Sequence, residues 1–91
     1  IINRAPVITS VTANPSSIYI DQSSVLTCNA YDPDGDLITY TWSTGASQAT
    51  GQSVTYYPDT TGTHTISVRV SDGRLQTTSS VSVDVVYRMY L

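Results

Sequence analysis

The strongest constraint in this sequence is a two-residue alternation of apolar and polar side chains in short segments. After Gly62, for example, Ile66, Val68 and Val70 alternate with Ser and Arg side chains. Successive side chains of a β-strand point to opposite faces, so each segment of this kind presents one apolar face. Because that face is buried only when a second layer covers it, the alternation predicts an all-β sandwich of two packed antiparallel sheets.

Turn-forming residues divide the chain into about seven short predicted strands. We expect these strands over residues 7–13, 18–20, 25–31, 38–43, 54–56, 62–71 and 80–85. Residues 45–52 are small and polar and are interpreted as a loop or a weak edge strand. In the first strand, strict alternation places Val7, Thr9, Val11 and Ala13 on one face.

Composition and charge exclude several classes of function. The 91-residue chain is long enough for one small domain, and it contains no Lys, Glu or Phe. Its net charge is −3, whereas nucleic acids and anionic membranes bind cationic surfaces. No apolar run approaches the roughly 20 residues of a transmembrane helix. Cys28 is the only cysteine, so an internal disulfide is excluded. We therefore expect no nucleic-acid partner and no membrane insertion.

Motifs in a fixed order along the chain carry a family resemblance. Cys28 precedes Trp42 by 14 residues, and each lies on a predicted strand. The other motifs are an Asn-x-Ala-Pro opening, an acidic loop followed by Tyr-x-Trp, and a Gly-initiated strand that ends in Asp, at residues 3–6, 32–42 and 62–72. Together they resemble the immunoglobulin-like (Ig-like) sandwich, and more specifically the PKD-type and cadherin-like modules of bacterial and archaeal surface proteins.

The resemblance implies both domain limits and a function. It implies an Ig-like domain over residues 3–86, with residues 87–91 forming a strand extension or a linker to a following domain. It also implies a non-catalytic spacer or adhesion module of a secreted or cell-surface protein, whose partners are the neighbouring domains of the same chain. The alternative is an accessory module that holds a polysaccharide or a protein polymer for a neighbouring catalytic domain.

The strongest candidate site is an acidic loop. Asp32, Asp34 and Asp36 alternate within five residues, and a hard cation such as Ca²⁺ would relieve the repulsion between their carboxylates. In an Ig-like topology this loop, the loop at Asp72 and the N-terminus with Asn3 meet at one end of the sandwich. We predict a Ca²⁺ site from these five residues, and the resemblance supports it because many such modules bind Ca²⁺ near a domain junction. The alternative is a solvated turn, with Asp and Gly serving the backbone.

Three conspicuous side chains are interpreted as structural, so no enzyme activity is expected. His64 lies near the start of a predicted strand and is expected to form a hydrogen bond that holds the preceding loop. It lacks the nucleophile and the orienting partner of a catalytic base. Cys28 faces inward, where a thiol is inert, and Trp42 is expected to pack against Cys28 and Ile66.

Tyr19, Tyr31 and Tyr57 are predicted to point away from the core. A planar row of tyrosines can stack on sugar rings or contact a protein partner, so these residues are the candidate ligand-binding set. They fall on separate predicted elements, and single surface aromatics are common. Ordinary exposure is therefore the alternative interpretation.

Overall fold

The computed structural model describes residues 3–44 and 47–87. Within these ranges the chain forms strands and no helix, which confirms the all-β prediction. The eight strands are β1 (Val7–Asn14), β2 (Ser17–Tyr19), β3 (Ser24–Tyr31), β4 (Thr39–Ser43), β5 (Gln48–Thr50), β6 (Ser53–Tyr56), β7 (Gly62–Ser71) and β8 (Gln76–Val86). The described part of the chain therefore contains no helix that is long and apolar enough to cross a membrane.

The strands form two sheets, as the one-sided alternation requires. The first has the order β1-β3-β6 and the second the order β2-β8-β7-β4-β5. One pairing differs from the predicted antiparallel arrangement, because β2 runs parallel to β8. The chain passes from the first sheet to the second through a cis Asn14–Pro15 bond, and β2 keeps the direction of β1. That direction is also the direction of β8, so the two strands pair in parallel.

A bulge in β1 changes which of its side chains face the core. The register of β1 against β3 shifts between Ile8 and Ser10. Ile8 packs against the core before the shift, and Val11 and Ala13 do so after it. The prediction that one alternating set of side chains shares a face along the whole strand is therefore wrong for the first half of β1, where Ile8 faces the core and Val7 is exposed. An extra residue in one strand reverses the phase of the alternation beyond it.

The structure has one strand more than predicted, β5. It lies in the segment 45–52, which the sequence left as either a loop or a weak edge strand. Gln48–Thr50 pairs antiparallel with β4, and all three residues are exposed at the edge of the five-stranded sheet. The weak edge strand is therefore the correct alternative for these residues. Gly45 and Ala46, at the start of the predicted loop, lie outside the described residues, as does the predicted extension beyond Tyr87.

The core lies between the two sheets and includes the side chains predicted to be apolar and inward-facing, namely Cys28, Trp42, Ile66, Val68 and Val70. Its buried members are Ile18, Leu26, Cys28, Trp42, Tyr56, Ile66, Val68, Val70, Val83 and Val85. Trp42 is only 1% exposed, and its Nε1–H donates a hydrogen bond of 2.8 Å to the carbonyl of Gly51. Burial raises the pKa of the Cys28 thiol, as expected for an inert core cysteine.

The strand register brings three chain segments to one end of the sandwich. Val7 at the start of β1 pairs with Tyr31 at the end of β3, and Thr39 pairs with Ser71. The two sheets are tied together there by a hydrogen bond from the Thr77 hydroxyl to the carbonyl of Pro6. We call this the acidic end, defined by residues 3–6, 32–38 and 72–75; the other end is the opposite end.

Candidate cation site

The acidic end contains all five residues that the sequence predicted as cation ligands. Asp32, Asp34 and Asp36 each offer a carboxylate oxygen, and these oxygens lie within 4.8 Å of one another. The Nδ2 atom of Asn3 donates a hydrogen bond of 3.0 Å to Oδ2 of Asp72. An open cavity of about 600 Å³ lies at this end, lined by Asn3, Asp34, Asp36, Leu37, Asp72 and Arg74. The structure thus brings the predicted residues together, and cation binding itself stays a prediction.

One oxygen of Asp32 shapes the acidic loop. Its Oδ1 atom accepts hydrogen bonds from the backbone N–H of Asp34 at 2.8 Å and of Asp36 at 3.3 Å. The carbonyl of Asp32 accepts a third bond, from Gly35, whose φ of 77° lies in the left-handed region that glycine tolerates. The Oδ1 atom of Asp32 therefore stabilises the turn, which is the role expected if the acidic loop is a solvated turn.

The other oxygen of Asp32 has no such role. Its Oδ2 atom is buried and has no hydrogen-bond donor among the described residues. The carboxylate of Asp72 lies close to the Asp32 side chain. Two ionised carboxylates cannot bond to each other directly, and a buried acceptor without a donor is costly. A bound cation would satisfy both groups.

Asp72 is held in its ionised form by the loop between β7 and β8. The backbone N–H groups of Leu75 and Arg74 each donate a bond of 2.8 Å to its Oδ1 atom. These two bonds are the main reason that the pKa of Asp72 is lowered from 3.8 to about 2. Gly73, with a φ of 96°, allows the tight turn that aims both N–H groups at the carboxylate. Asp72 is therefore a fixed negative charge at neutral pH.

Sequence reasoning missed Arg4, which reaches the loop from the N-terminal segment. Its guanidinium donates two bonds to Oδ1 of Asp34, from Nη2 at 2.8 Å and from Nε at 3.0 Å. Its backbone N–H donates to Oδ2 of Asp34 at 2.8 Å, and Nη2 also donates to the carbonyl of Pro33. The backbone bond and then the guanidinium lower the pKa of Asp34. The acidic loop contains no Arg or Lys of its own, but it receives one from 30 residues away.

The donor set fits Ca²⁺. The ion binds six to eight oxygen ligands at about 2.3–2.6 Å, so oxygens on opposite sides of it are about 5 Å apart. The 4.8 Å limit on the separations within the loop is compatible with one ion held by all three carboxylates. The predicted ligands offer only oxygen, which suits a hard cation. Both oxygens of Asp34, however, already accept bonds from Arg4.

His64 lies at the opposite end and has the structural role predicted for it. Its Nε2–H donates a hydrogen bond of 2.8 Å to the carbonyl of Thr60, in the loop between β6 and β7. The hydroxyl of Thr60 lies 3.2 Å from the same nitrogen. This confirms the prediction that His64 holds the loop preceding its strand.

The three predicted ligand-binding tyrosines are exposed but do not form one surface. Tyr31 lies at the end of β3, next to the acidic loop. Tyr19 is on β2, at one edge of the five-stranded sheet, and Tyr57 follows β6, at an edge of the three-stranded sheet. Tyr19 and Tyr57 are both near the opposite end. A single planar row of these side chains is therefore absent.

A second cavity was not predicted from the sequence. It has a volume of about 270 Å³ and lies between β6 and the β4–β5 edge of the other sheet. Much of its lining is apolar or aromatic, from Leu26, Trp42, Val54, Tyr56 and Tyr57, with His64 and Asp59 at polar positions. The cavity exists because the β4–β5 edge and β6 belong to different sheets and do not pair with each other.

The strand order, the buried core and the loops gathered at one end define an immunoglobulin-like β-sandwich without a disulfide. The chain belongs to the bacterial Ig domain family, which it matches over residues 3–86. Its structure is similar to the crystal structure of the PKD1 domain of Vibrio anguillarum Epp, with a TM-score of 0.77 and 21% sequence identity, covering 96% of this chain and 100% of that chain. No curated protein sequence matches it significantly.

The predicted resemblance and fold class are thereby confirmed. The bacterial Ig family and the PKD-like fold both agree with the Ig-like module expected from the sequence motifs. Membership of the family suggests a structural or adhesion module, and domains of this kind are often extracellular or surface-associated.

Proposed function

We propose that this domain is a non-catalytic spacer or adhesion unit of a larger secreted or cell-surface protein, and that Ca²⁺ bound at the acidic loop stiffens its N-terminal end. Its partners would be the neighbouring domains of the same chain. The main support for calcium binding is the buried Oδ2 atom of Asp32, which has no hydrogen-bond donor among the described residues and lies beside other carboxylates.

A non-catalytic role is supported by how the two most reactive side-chain types are used. The imidazole of His64 is bonded to the loop at Thr60, and the thiol of Cys28 is fully buried with a raised pKa. A catalytic nucleophile needs access to substrate and a base within reach. Neither residue meets both requirements.

Stiffening is supported by the segments that meet at the site. The N-terminal segment, the acidic loop and the loop at Asp72 are already joined by hydrogen bonds from Asn3, Arg4 and Thr77. An ion that drew oxygens from two of these segments would add a further link between them. The orientation of a preceding domain would then be fixed more closely.

A calcium titration followed by thermal unfolding tests the proposal. Dissociation constants of extracellular calcium modules are about 10⁻⁴–10⁻³ M. A ligand at a hundred times its dissociation constant stabilises the folded state by about 2.7 kcal/mol, which raises Tm by about 10–20 °C in a domain of this size. We expect such a rise at 10–100 mM Ca²⁺ (about a hundredfold above those constants).

Asp36→Asn is the most informative variant for this titration, because Asp36 is exposed and its change keeps side-chain volume. The variant should lose most of the calcium-dependent rise in Tm. Asp59→Asn, which makes the same change beside the second cavity, is the matched control and should keep the rise. If Ca²⁺ leaves the Tm of the wild-type domain unchanged, the acidic loop is a solvated turn and not a calcium site.

The polymer-binding alternative predicted from the sequence is tested separately. The tyrosines chosen for it are divided between the two ends and the two sheets, so they give it no support as a set. A spacer should remain in solution when the domain is mixed with insoluble polysaccharide or collagen and centrifuged. Co-sedimentation that saturates with protein concentration would favour the accessory binding module instead.

A further inference from the structure

The N-terminal segment places the positively charged side chain of Arg4 against the acidic loop. The Arg4 guanidinium donates two hydrogen bonds to Oδ1 of Asp34, while the Arg4 backbone N–H donates to Oδ2. One predicted ligand of the divalent cation is therefore already neutralised by a positive charge from the same domain. This pair is the only salt bridge within the described residues.

We infer that Arg4 is a built-in competitor of the divalent cation: its guanidinium occupies Oδ1 of Asp34 when the cation is absent and leaves that oxygen when the cation binds. This inference rests on the function proposed above. It adds that calcium binding is coupled to a change in the position of one arginine side chain at the N-terminal end of the domain.

The contacts of Arg4 allow its side chain to leave while the segment stays attached. The side chain is 62% exposed, so water can replace the lost bonds, and an exposed ion pair of this kind is weak. The backbone bond from Arg4 uses the other oxygen of Asp34 and can persist. The bonds from Asn3 to Asp72 and from Thr77 to Pro6 involve neither oxygen. The exchange is therefore a movement of one side chain.

Competition has a direct electrostatic reason. A guanidinium and Ca²⁺ cannot both lie against the same carboxylate oxygen, and their positive charges repel at short distance. The cost of moving Arg4 is subtracted from the binding free energy of the ion. Removal of the guanidinium should therefore tighten calcium binding by about two- to fivefold, which is the change in affinity equivalent to the free energy of one exposed ion pair.

The test compares two arginine variants that remove the same charge. Arg4→Gln removes the competing guanidinium, whereas Arg74→Gln removes a positive charge that lines the same cavity. Calcium affinities are measured by isothermal titration calorimetry, and Tm in EDTA shows that each variant is folded. In the wild type, the Nε–H resonance of Arg4 is followed by NMR during the titration.

We expect Arg4→Gln to bind Ca²⁺ more tightly than both the wild type and Arg74→Gln, and the Arg4 Nε–H resonance to shift as the wild type is saturated. Equal affinities of the two variants, or an Arg4 resonance that does not move at saturation, would overturn the exchange and leave the calcium site intact. Absence of binding in both the wild type and Arg4→Gln would overturn the exchange together with the proposed calcium site. Binding by Arg4→Gln alone would support the competition and contradict calcium binding by the wild type.

Discussion

Replacement of Trp42 by Phe tests how the core is built. The indole is 1% exposed, and its N–H bonds to the carbonyl of Gly51 at 2.8 Å. Gly51 has a φ of 124°, and it begins the turn that takes the chain from one sheet to the other. The indole therefore ties this turn to the core, and Phe would keep one ring but lose both the second ring and the bond.

The expected loss of stability has two parts. A hydrogen bond of this kind contributes about 1 kcal/mol. Truncation of a buried Trp to Ala costs about 3–5 kcal/mol, and Phe retains most of that packing, so its packing loss is about 1–2 kcal/mol. The total is about 2–3 kcal/mol, which lowers Tm by about 10–20 °C in a domain of this size.

Guanidinium unfolding followed by far-UV circular dichroism measures the difference without relying on the lost fluorophore. Tyr57→Phe, at a side chain that is 75% exposed, is the control and should change stability by less than about 0.5 kcal/mol. The Gly51 amide, which donates to the carbonyl of Tyr40, should exchange its hydrogen faster in the Trp42 variant. A loss below about 0.5 kcal/mol in Trp42→Phe would refute the assignment of Trp42 to a packed, hydrogen-bonded core position.

Three further predictions concern acid, thiol chemistry and one loop. The pKa values of Asp34 and Asp72 are lowered in the fold, so the stability they add is present above their ordinary value of 3.8 and is lost as pH falls below it, down to about 2 for Asp72. Tm measured between pH 5 and pH 2 should therefore fall less steeply in Asp72→Asn, and parallel profiles would contradict this. Cys28 should resist a thiol reagent until the domain unfolds, and rapid labelling of the native protein would show that it is not buried. His64→Ala should cost about 1 kcal/mol and speed hydrogen exchange at residues 57–61, and unchanged exchange there would mean that the bond to Thr60 does not hold the loop.

The sequence predicted the sheet faces well where pairing is regular. Ile66, Val68 and Val70 are all buried on β7, as the alternation required, because an unbroken strand keeps its phase. It failed in β1, where the bulge after Ile8 reverses the phase. A bulge depends on the partner strand and on the sheet that covers it, and neither is visible in the residues of β1 themselves.

The grouping of the candidate ligands at one end was predicted, and one contact of that group was missed. Asn3, the three loop aspartates and Asp72 could be placed together because topology fixes which loops share an end. Arg4 could not be placed on Asp34, because the direction of a long, exposed side chain depends on contacts between residues 30 positions apart. The only available signal was its position beside Asn3, at the terminus expected to meet the loop. Burial of a single Asp32 oxygen is likewise a property of the packed structure.

The parallel pairing of β2 with β8 determines how this domain would respond to a pulling force. Residues 3 and 86 lie towards opposite ends of the sandwich, and β2 and β8 run in the same direction. If the chain is pulled at these two points, the force reaches β2 through β1, and once β1 has separated from β3 the paired strands β2 and β8 are drawn past each other along their length. The bonds joining Ser17–Tyr19 to Asp84–Val86 are then sheared together, because they lie across the direction of the force. Rupture would require simultaneous loss of this whole patch, which resists extension better than a hairpin that unzips one pair at a time.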